Sequence, residues 1–193
     1  MSVPFLVLAA LLLAVERGFY LFASRSSASF ARICAASPGG AAIGEPTAVV
    51  ERLFYVFKLI QLGVFMGWLW VHGGGDPFGI AAPWPALLLG TALVVVGQGL
   101  NFSVFWSLGR SGVFYGNRFG HDVPWVESFP FSICPHPQYT GTAISIWGFF
   151  LIARYPHPDW IALPALETIY YLIAARYEGS RTSQARTAST AQR

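Results

Sequence analysis

Apolar residues occur along this chain in runs that are long enough to cross a membrane. Three runs, residues 3–23, 53–71 and 85–108, contain few charged side chains. About 20 apolar residues suffice for a helix that spans a hydrocarbon core of about 30 Å. Trp68 and Trp70 lie at the end of the second run, as is typical of a membrane interface. The pattern therefore predicts three spanning helices.

Two shorter apolar segments lie within residues 142–176, on either side of Tyr155-Pro-His-Pro-Asp159. The first, residues 142–153, would be only about 20 Å long as a helix, which is short for an independent crossing. We therefore predict a short helical hairpin that packs against the spanning helices. The expected fold class is an all-α integral membrane protein, a single domain with four to five membrane helices.

The segments between these runs are predicted to be irregular. Residues 24–46 resemble a linker rich in Ser, Ala and Gly, and residues 179–193 a flexible tail. Residues 109–141 form a polar and aromatic connection that ends in Phe129 to Gly141, where three prolines restrict the backbone. Rigid irregular backbone beside membrane helices is tolerated where it lines a cavity, so this stretch is the first candidate for a site.

Composition and charge agree with a membrane protein. The 193 residues are 54% hydrophobic and 11% charged, whereas soluble domains carry about 25% charged residues. The net charge of +3 indicates membrane-flanking arginines and no nucleic-acid surface. The predicted first and third connections are flanked by arginines: Arg25, Arg32, Arg52, Arg110 and Arg118. The second connection has neither Lys nor Arg, so we place the other two connections and the C-terminus in the cytosol.

Few residues in the spans are ionisable. Glu16-Arg17 lies near the end of the first span, and we favour a pair that snorkels to the interface over one that faces the bundle interior. Glu167 lies in an apolar segment, where a carboxylate is a functional candidate or pairs with Arg17, Lys58 or a helix hydroxyl. The spacing of Cys and His predicts no metal site, and no Ser-His-Asp or zinc-protease motif is present.

Three blocks of sequence carry a resemblance. They are Phe105-Trp-Ser-Leu-Gly-Arg-Ser-Gly-Val-Phe-Tyr-Gly-Asn-Arg-Phe-Gly120, Phe129-Pro-Phe131 and Pro137-Gln-Tyr-Thr-Gly141, followed by Tyr170 and Tyr177-Glu178. In these residues the chain resembles the phospholipid N-methyltransferases. The resemblance implies S-adenosylmethionine as methyl donor and a membrane phospholipid amine as acceptor, namely N-methylated phosphatidylethanolamine on the way to phosphatidylcholine.

The resemblance also implies the residues that bind the donor. The family's Gly-x-Gly and Glu-Glu motifs correspond to Gly97-Gln98-Gly99, displaced by two positions, and to Glu178, with Gly179 in place of the second glutamate. Close helix packing through small residues is the alternative for the glycines. His136, Pro137, Tyr139 and Gly141 are expected to form a wall of the donor site.

Methyl transfer requires a neutral attacking amine, whereas alkylammonium groups have a pKa of about 10. His121 and Glu127 are the candidate bases.

Two alternative functions stay open. His136-Pro137-x-Tyr139 also fits an isoprenylcysteine carboxyl methyltransferase. Gly179, in place of the second glutamate, is compatible with a non-catalytic lipid-binding or assembly protein. We expect the endoplasmic reticulum membrane for a eukaryotic source and the inner membrane for a bacterial one. Neither the oligomeric state nor the use of unmethylated phosphatidylethanolamine follows from the sequence.

Overall fold

The computed structural model describes the backbone of residues 3–36, 44–76, 80–123 and 125–190, and side chains within these ranges as far as residue 177. The helices in these ranges are α1 (Val3–Arg25), α2 (Ser27–Ala36), α3 (Pro46–His72), α4 (Trp84–Val113), α5 (Pro137–Ala153) and α6 (Ala162–Thr190). No strand occurs in the described residues. Three helices, α1, α3 and α4, are long and apolar enough to cross a membrane. The predicted all-α membrane fold is confirmed.

Prolines mark helix starts in this chain. Helices α3, α4 and α5 each have a proline in the first turn, where its missing N–H is not needed. Helix α3 therefore begins at Pro46, earlier than the predicted residue 53. Helix α5 begins at Pro137, so the motif Pro137 to Gly141 forms its first turns and is not part of the irregular connection. The segment is 17 residues long, longer than predicted.

The linker predicted over residues 24–46 contains a helix that the sequence pattern did not predict. Helix α2 buries Phe30 and Cys34. The Phe30 ring lies 5.7 Å from the rings of both Phe19 and Phe119. These contacts hold α2 against α1 and against the start of the connection after α4. They explain why a segment poor in long apolar runs is ordered. The prediction of a linker is wrong for residues 27–36, and residues 37–43 lie outside the described part.

Helices α4 and α5 are antiparallel and approach closely through paired glycines. A Cβ added to Gly97 would lie 2.3 Å from the Gly141 carbonyl oxygen, and one added to Gly141 would lie 2.5 Å from the Gly97 oxygen. Gly90 and Gly148 repeat this arrangement, with 2.8 and 2.5 Å to the opposite carbonyl oxygens. Small residues allow such close packing of membrane helices. Gly97 therefore has the packing role that was the alternative to donor binding.

Helices α5 and α6 form the predicted hairpin. Trp147 Nε1 on α5 donates a hydrogen bond to Thr168 Oγ1 on α6, 2.9 Å away. At the hairpin turn, Arg154 Nε and Trp68 Nε1 donate to Asp159 Oδ2 at 2.7 and 3.0 Å. These bonds join the turn to α3. Tyr170 connects α6 to α1 by donating its hydroxyl to the Ala10 carbonyl oxygen, 3.0 Å away.

Candidate functional site

A cavity of about 540 Å³ lies among α1, α3, α4, α5 and α6. This volume is within the range of small-molecule sites, about 300–1,000 Å³. Its walls combine aromatic side chains with a small set of polar groups, which are Glu16, Arg17, Tyr20, Lys58, Gln61, Gln98, Asn101, Tyr115, His136, Gln138, Tyr139, Thr142, Ser145 and Tyr171. The cavity therefore offers both an apolar surface and specific polar contacts.

One wall is formed where α4 meets α5. Gln98 Nε2 donates a hydrogen bond to Ser145 Oγ at 3.1 Å, and Thr142 Oγ1 donates to Asn101 Oδ1 at 3.3 Å. The close approach at Gly97 brings these pairs within reach of each other. Of the predicted triplet 97–99, Gln98 lines the cavity. Nothing lies within 4 Å of a Cβ built on Gly99, whose exposed position is away from the α5 interface.

A second wall is the start of α5. His136 precedes the helix, and its ring stacks on Tyr139 with centroids 5.9 Å apart and planes inclined by 15°. Pro137 is fully buried. The Tyr139 ring also lies 5.5 Å from the ring of Tyr171 on α6. The structure therefore brings His136, Pro137 and Tyr139 together at the cavity, whereas Gly141 packs against Gly97 and does not line it. Their role in donor binding stays a prediction.

The third wall carries ionisable groups of α1 and α3. Glu16 and Arg17 have only 3% and 7% of their surface exposed. Lys58 Nζ lies 3.0 Å from Glu16 Oε1, and Arg17 Nη2 lies 3.3 Å from Glu16 Oε2. The expectation that this pair snorkels to the interface is wrong, because both side chains face the bundle interior, where Lys58 supplies a counter-charge from the neighbouring helix.

Glu167 belongs to the same polar cluster. Lys58 Nζ donates to Gln61 Oε1 at 3.0 Å, and Gln61 Nε2 donates a short hydrogen bond to Glu167 Oε1. Glu167 is 1% exposed, and its other oxygen, Oε2, has no hydrogen-bond partner. Its hydrogen-bond partner is thus an amide of α3 and not the predicted Arg17, Lys58 or helix hydroxyl. A continuous polar path joins Glu16 to Glu167.

The two predicted bases lie elsewhere. His121 Nε2 is 3.0 Å from Thr47 Oγ1 and 3.5 Å from Glu45 Oε2, at the start of α3. Glu127 is exposed and accepts a hydrogen bond from Trp125 Nε1 at 3.0 Å. Neither His121 nor Glu127 lines the cavity. Their role as bases remains a prediction that the geometry of the cavity does not support.

Two further predicted positions fall at the edge of what is described. The backbone of Glu178 and Gly179 continues helix α6, but their side chains lie outside the described residues. The described part of the chain contains no group of three or more His, Cys, Asp or Glu side chains that could hold a metal ion.

Sequence reasoning did not assign Glu16, Arg17, Lys58, Gln61 and Tyr171 to the site. A signal for the first three was available, because ionisable residues within a membrane span usually face the bundle interior and have a function. Their position near the ends of the apolar runs made snorkelling the simpler interpretation. Gln61 and Tyr171 carried no such signal, since their place depends on how the helices rotate against one another.

Comparisons with known proteins identify the family to which this chain is similar. The family model described as phospholipid methyltransferase matches residues 85–185, which is more than half of the chain. Phosphatidyl-N-methylethanolamine N-methyltransferase of Arabidopsis thaliana is 37% identical over 103 residues, or 53% of this chain and 56% of the plant protein. The Emericella nidulans protein of the same name is 34% identical over 135 residues, or 68% of this chain and 64% of its own length.

Phosphatidylethanolamine N-methyltransferase of Homo sapiens is 33% identical over 100 residues, or 51% of this chain and 49% of the human protein. The chain thus spans about half the length of the plant and human relatives it matches. No solved structure matches the chain significantly. The family match begins with α4, so the wall of α1 and α3 lies outside it.

Proposed function

Because the chain belongs to the phospholipid methyltransferase family, we propose that it transfers a methyl group to the amine of a membrane phospholipid. The substrate is phosphatidyl-N-methylethanolamine and its dimethyl product, so that repeated transfer yields phosphatidylcholine. The names of the plant and fungal relatives support the monomethyl acceptor. The chain itself supports a lipid substrate, since three of its helices are long and apolar enough to lie in the bilayer.

One observation carries this proposal. The cavity joins residues of the matched region, Gln98 and His136, to the buried carboxylate of Glu16 and the half-buried ammonium of Lys58. An amine headgroup and a methyl donor both need polar contacts, whereas lipid chains need apolar ones, and this cavity offers both. Ionisable groups are costly at this depth in a membrane and persist where they serve a function.

The residues present fit S-adenosylmethionine as the donor. When bound, it supplies a methyl group already activated by a sulfonium. The aromatic rings of His136 and Tyr139 provide a flat wall, and Gln98 provides an amide. We propose that these residues hold the donor together with Glu178, and that positioning supplies most of the acceleration.

The amine must lose its proton before it attacks. Burial away from water disfavours a charged amine, because desolvation lowers the pKa of an ammonium group. Of the four histidines, all of which are described, only His136 lines the cavity. We propose that His136 accepts this proton in addition to bounding the donor site.

Lipid enters from the bilayer, between α3 and α4. Leu62 on α3 and Phe102 on α4 both line the cavity and are 51% and 71% exposed. In a membrane such exposed apolar side chains face acyl chains, so a headgroup can enter the cavity while its chains stay in lipid. The donor enters from the cytosolic side, where the arginine distribution places the connection after α4.

A methyl-transfer assay tests the proposal. Purified chain in nanodiscs is incubated with S-adenosylmethionine labelled in its methyl group and with mono- or dimethylated phosphatidylethanolamine. Label is expected in the phospholipid fraction. Label in a prenylated cysteine methyl ester would instead support an isoprenylcysteine carboxyl methyltransferase. Absence of any donor binding by titration would contradict the enzyme and favour a non-catalytic lipid-binding protein.

A further inference from the structure

Arg17 is buried in the cavity wall with much of its hydrogen-bonding capacity unused. Its Nε and Nη2 atoms have no hydrogen-bond partner, although 7% of the residue is exposed. The 3.3 Å approach of Nη2 to Glu16 is an ion pair without hydrogen-bond geometry. A guanidinium group presents five donors in a fixed fork. Leaving buried donors unused is unfavourable unless another group engages them.

Two tyrosines beside Arg17 share this property. The hydroxyls of Tyr20 on α1 and Tyr171 on α6 are buried and have no hydrogen-bond partner. The Arg17 guanidinium carbon lies 3.9 Å from the centroid of the Tyr171 ring and 5.9 Å from that of Tyr20. All three residues line the cavity. Four atoms that can donate but have no hydrogen-bond partner thus belong to three neighbouring residues of the cavity wall.

We propose that Arg17, Tyr20 and Tyr171 form an anion subsite that binds a phosphate or carboxylate oxygen inside the cavity. A guanidinium with two neutral hydroxyl donors is suited to an oxyanion and not to a cation. The neighbouring charges agree, because Glu16 already has Lys58 as a partner at 3.0 Å. The inference rests on the proposed function, since it assigns this subsite to one of the two molecules that the reaction joins.

Two ligands offer an oxyanion here: the phosphate of the phospholipid headgroup and the carboxylate of the methyl donor. Arg17 lies about 12 Å along α1 from Arg25 at the helix end. An anion bound there would be enclosed by buried side chains, where the low dielectric constant strengthens its interaction with arginine.

The test removes single hydroxyls. Tyr171→Phe and Tyr20→Phe are compared with wild type for binding of S-adenosylmethionine by calorimetry, and for the KM of phosphatidyl-N-methylethanolamine in nanodiscs. Each substitution is expected to weaken the binding of one of these ligands about tenfold, because a hydrogen bond to a charged group is lost. Thermal stability is expected to stay the same or rise, since a buried hydroxyl without a partner disappears.

Tyr170→Phe is the matched control on the same helix. Its hydroxyl bonds to the Ala10 carbonyl oxygen, so its loss is expected to lower stability without changing either affinity. Arg17→Lys keeps the positive charge but loses the planar set of guanidinium donors. It is expected to weaken binding of the same ligand as Tyr171→Phe does.

The results identify the anion. Weaker donor binding with an unchanged lipid KM indicates that the subsite binds the carboxylate of the donor. A raised lipid KM with unchanged donor binding indicates the phosphate of the lipid. Unchanged affinity for both ligands in folded Tyr171→Phe and Arg17→Lys would overturn the subsite. Failure of the proposed function is distinct, because wild type would then transfer no methyl group, while calorimetric binding of S-adenosylmethionine still reports on Arg17.

Discussion

At the scale of single residues, Gln61 illustrates how the buried charges are held. Its amide accepts from Lys58 and donates to Glu167, so it satisfies two ionisable groups at once. Gln61→Leu keeps the volume but leaves both groups without this partner. We expect a loss of about 1–3 kcal/mol in unfolding free energy, because unsatisfied buried polar groups are unfavourable. Thermal unfolding in detergent measures this loss.

Leu59→Ala on the same helix is the control for Gln61→Leu. Leu59 is 68% exposed, so its truncation removes little packing within the protein. Its unfolding midpoint is expected to stay close to that of wild type. If both variants lose the same unfolding free energy, the hydrogen bonds of Gln61 to Lys58 and Glu167 do not explain the effect of Gln61→Leu.

His136 has two proposed roles that kinetics can separate. We expect His136→Gln to lower kcat about 100-fold if the imidazole accepts the proton of the amine, since general bases contribute about 10²–10⁴-fold. The dissociation constant of S-adenosylmethionine would then change little. His157→Gln, on the exposed hairpin turn, is the control and is expected to keep full activity. A large loss of donor affinity with unchanged kcat would assign His136 to the donor site alone.

At the scale of helices, substitutions of two glycines in α4 separate a role in helix packing from a role in donor binding. Gly97→Ala is expected to destabilise the protein by about 1–3 kcal/mol, because its Cβ would meet Gly141 and Ser145 at 2.3 Å and force α4 and α5 apart. Gly99→Ala has nothing within 4 Å and is expected to be neutral or stabilising, since alanine favours the helix by about 1 kcal/mol. Chemical denaturation of both variants measures the difference.

The same pair of variants bears on the predicted Gly-x-Gly motif. Gly99→Ala adds a methyl group on a face directed away from α5, so it leaves the helix interface intact. If this stable variant loses S-adenosylmethionine binding, Gly99 contacts the donor directly. If it binds normally, the motif acts through Gly97 and the helix spacing that places Gln98 on the cavity wall.

The hairpin turn gives the fold a dependence on pH. Burial raises the pKa of Asp159, but hydrogen bonds from Arg154 and Trp68, together with the charge of Arg154, outweigh burial and keep it below its ordinary value. A depressed carboxyl pKa stabilises the fold at pH values above the ordinary one. That contribution is lost as the pH falls from about 4 through the lower pKa of the folded state.

Asp159→Asn should remove this contribution. We expect a loss of about 1–3 kcal/mol at neutral pH, because an amide is a weaker partner for Arg154 than a carboxylate. The gap between wild type and variant should narrow as the pH falls below 4. Unfolding midpoints measured from pH 7 to pH 3 test this, and a gap that is constant with pH would contradict it.

Fold and site differ in how far the sequence predicts them. Helices α1, α3 and α4 followed from hydropathy alone, because the bilayer requires long apolar runs whatever their partners are. Helix α2 was missed because its order depends on tertiary contacts of Phe30 with distant aromatic rings. Motif resemblance pointed to His136 and Tyr139, which line the cavity. The placement of Arg17 was predicted wrongly, because helix rotation decides whether a charge faces lipid or the interior.

At the scale of the whole molecule, the two reactants must approach from different directions. The lipid amine comes from the bilayer, whereas S-adenosylmethionine is soluble and needs an aqueous entrance. The proposed entrance lies at the end of the cavity where Tyr115 and His136 line it, beside the connection after α4. This arrangement works only if that connection faces the compartment that contains the donor.

The orientation is tested by labelling single cysteines introduced into a variant in which Cys34 and Cys134 are replaced. Ser132→Cys lies in the connection after α4 and Asp76→Cys in the connection before it, and both positions are exposed. In intact cells or right-side-out vesicles, a membrane-impermeant thiol reagent is expected to label the cysteine at 76 and not that at 132. Permeabilisation should expose both. Labelling of position 132 from outside would reverse the orientation and place the cavity entrance away from the cytosolic donor.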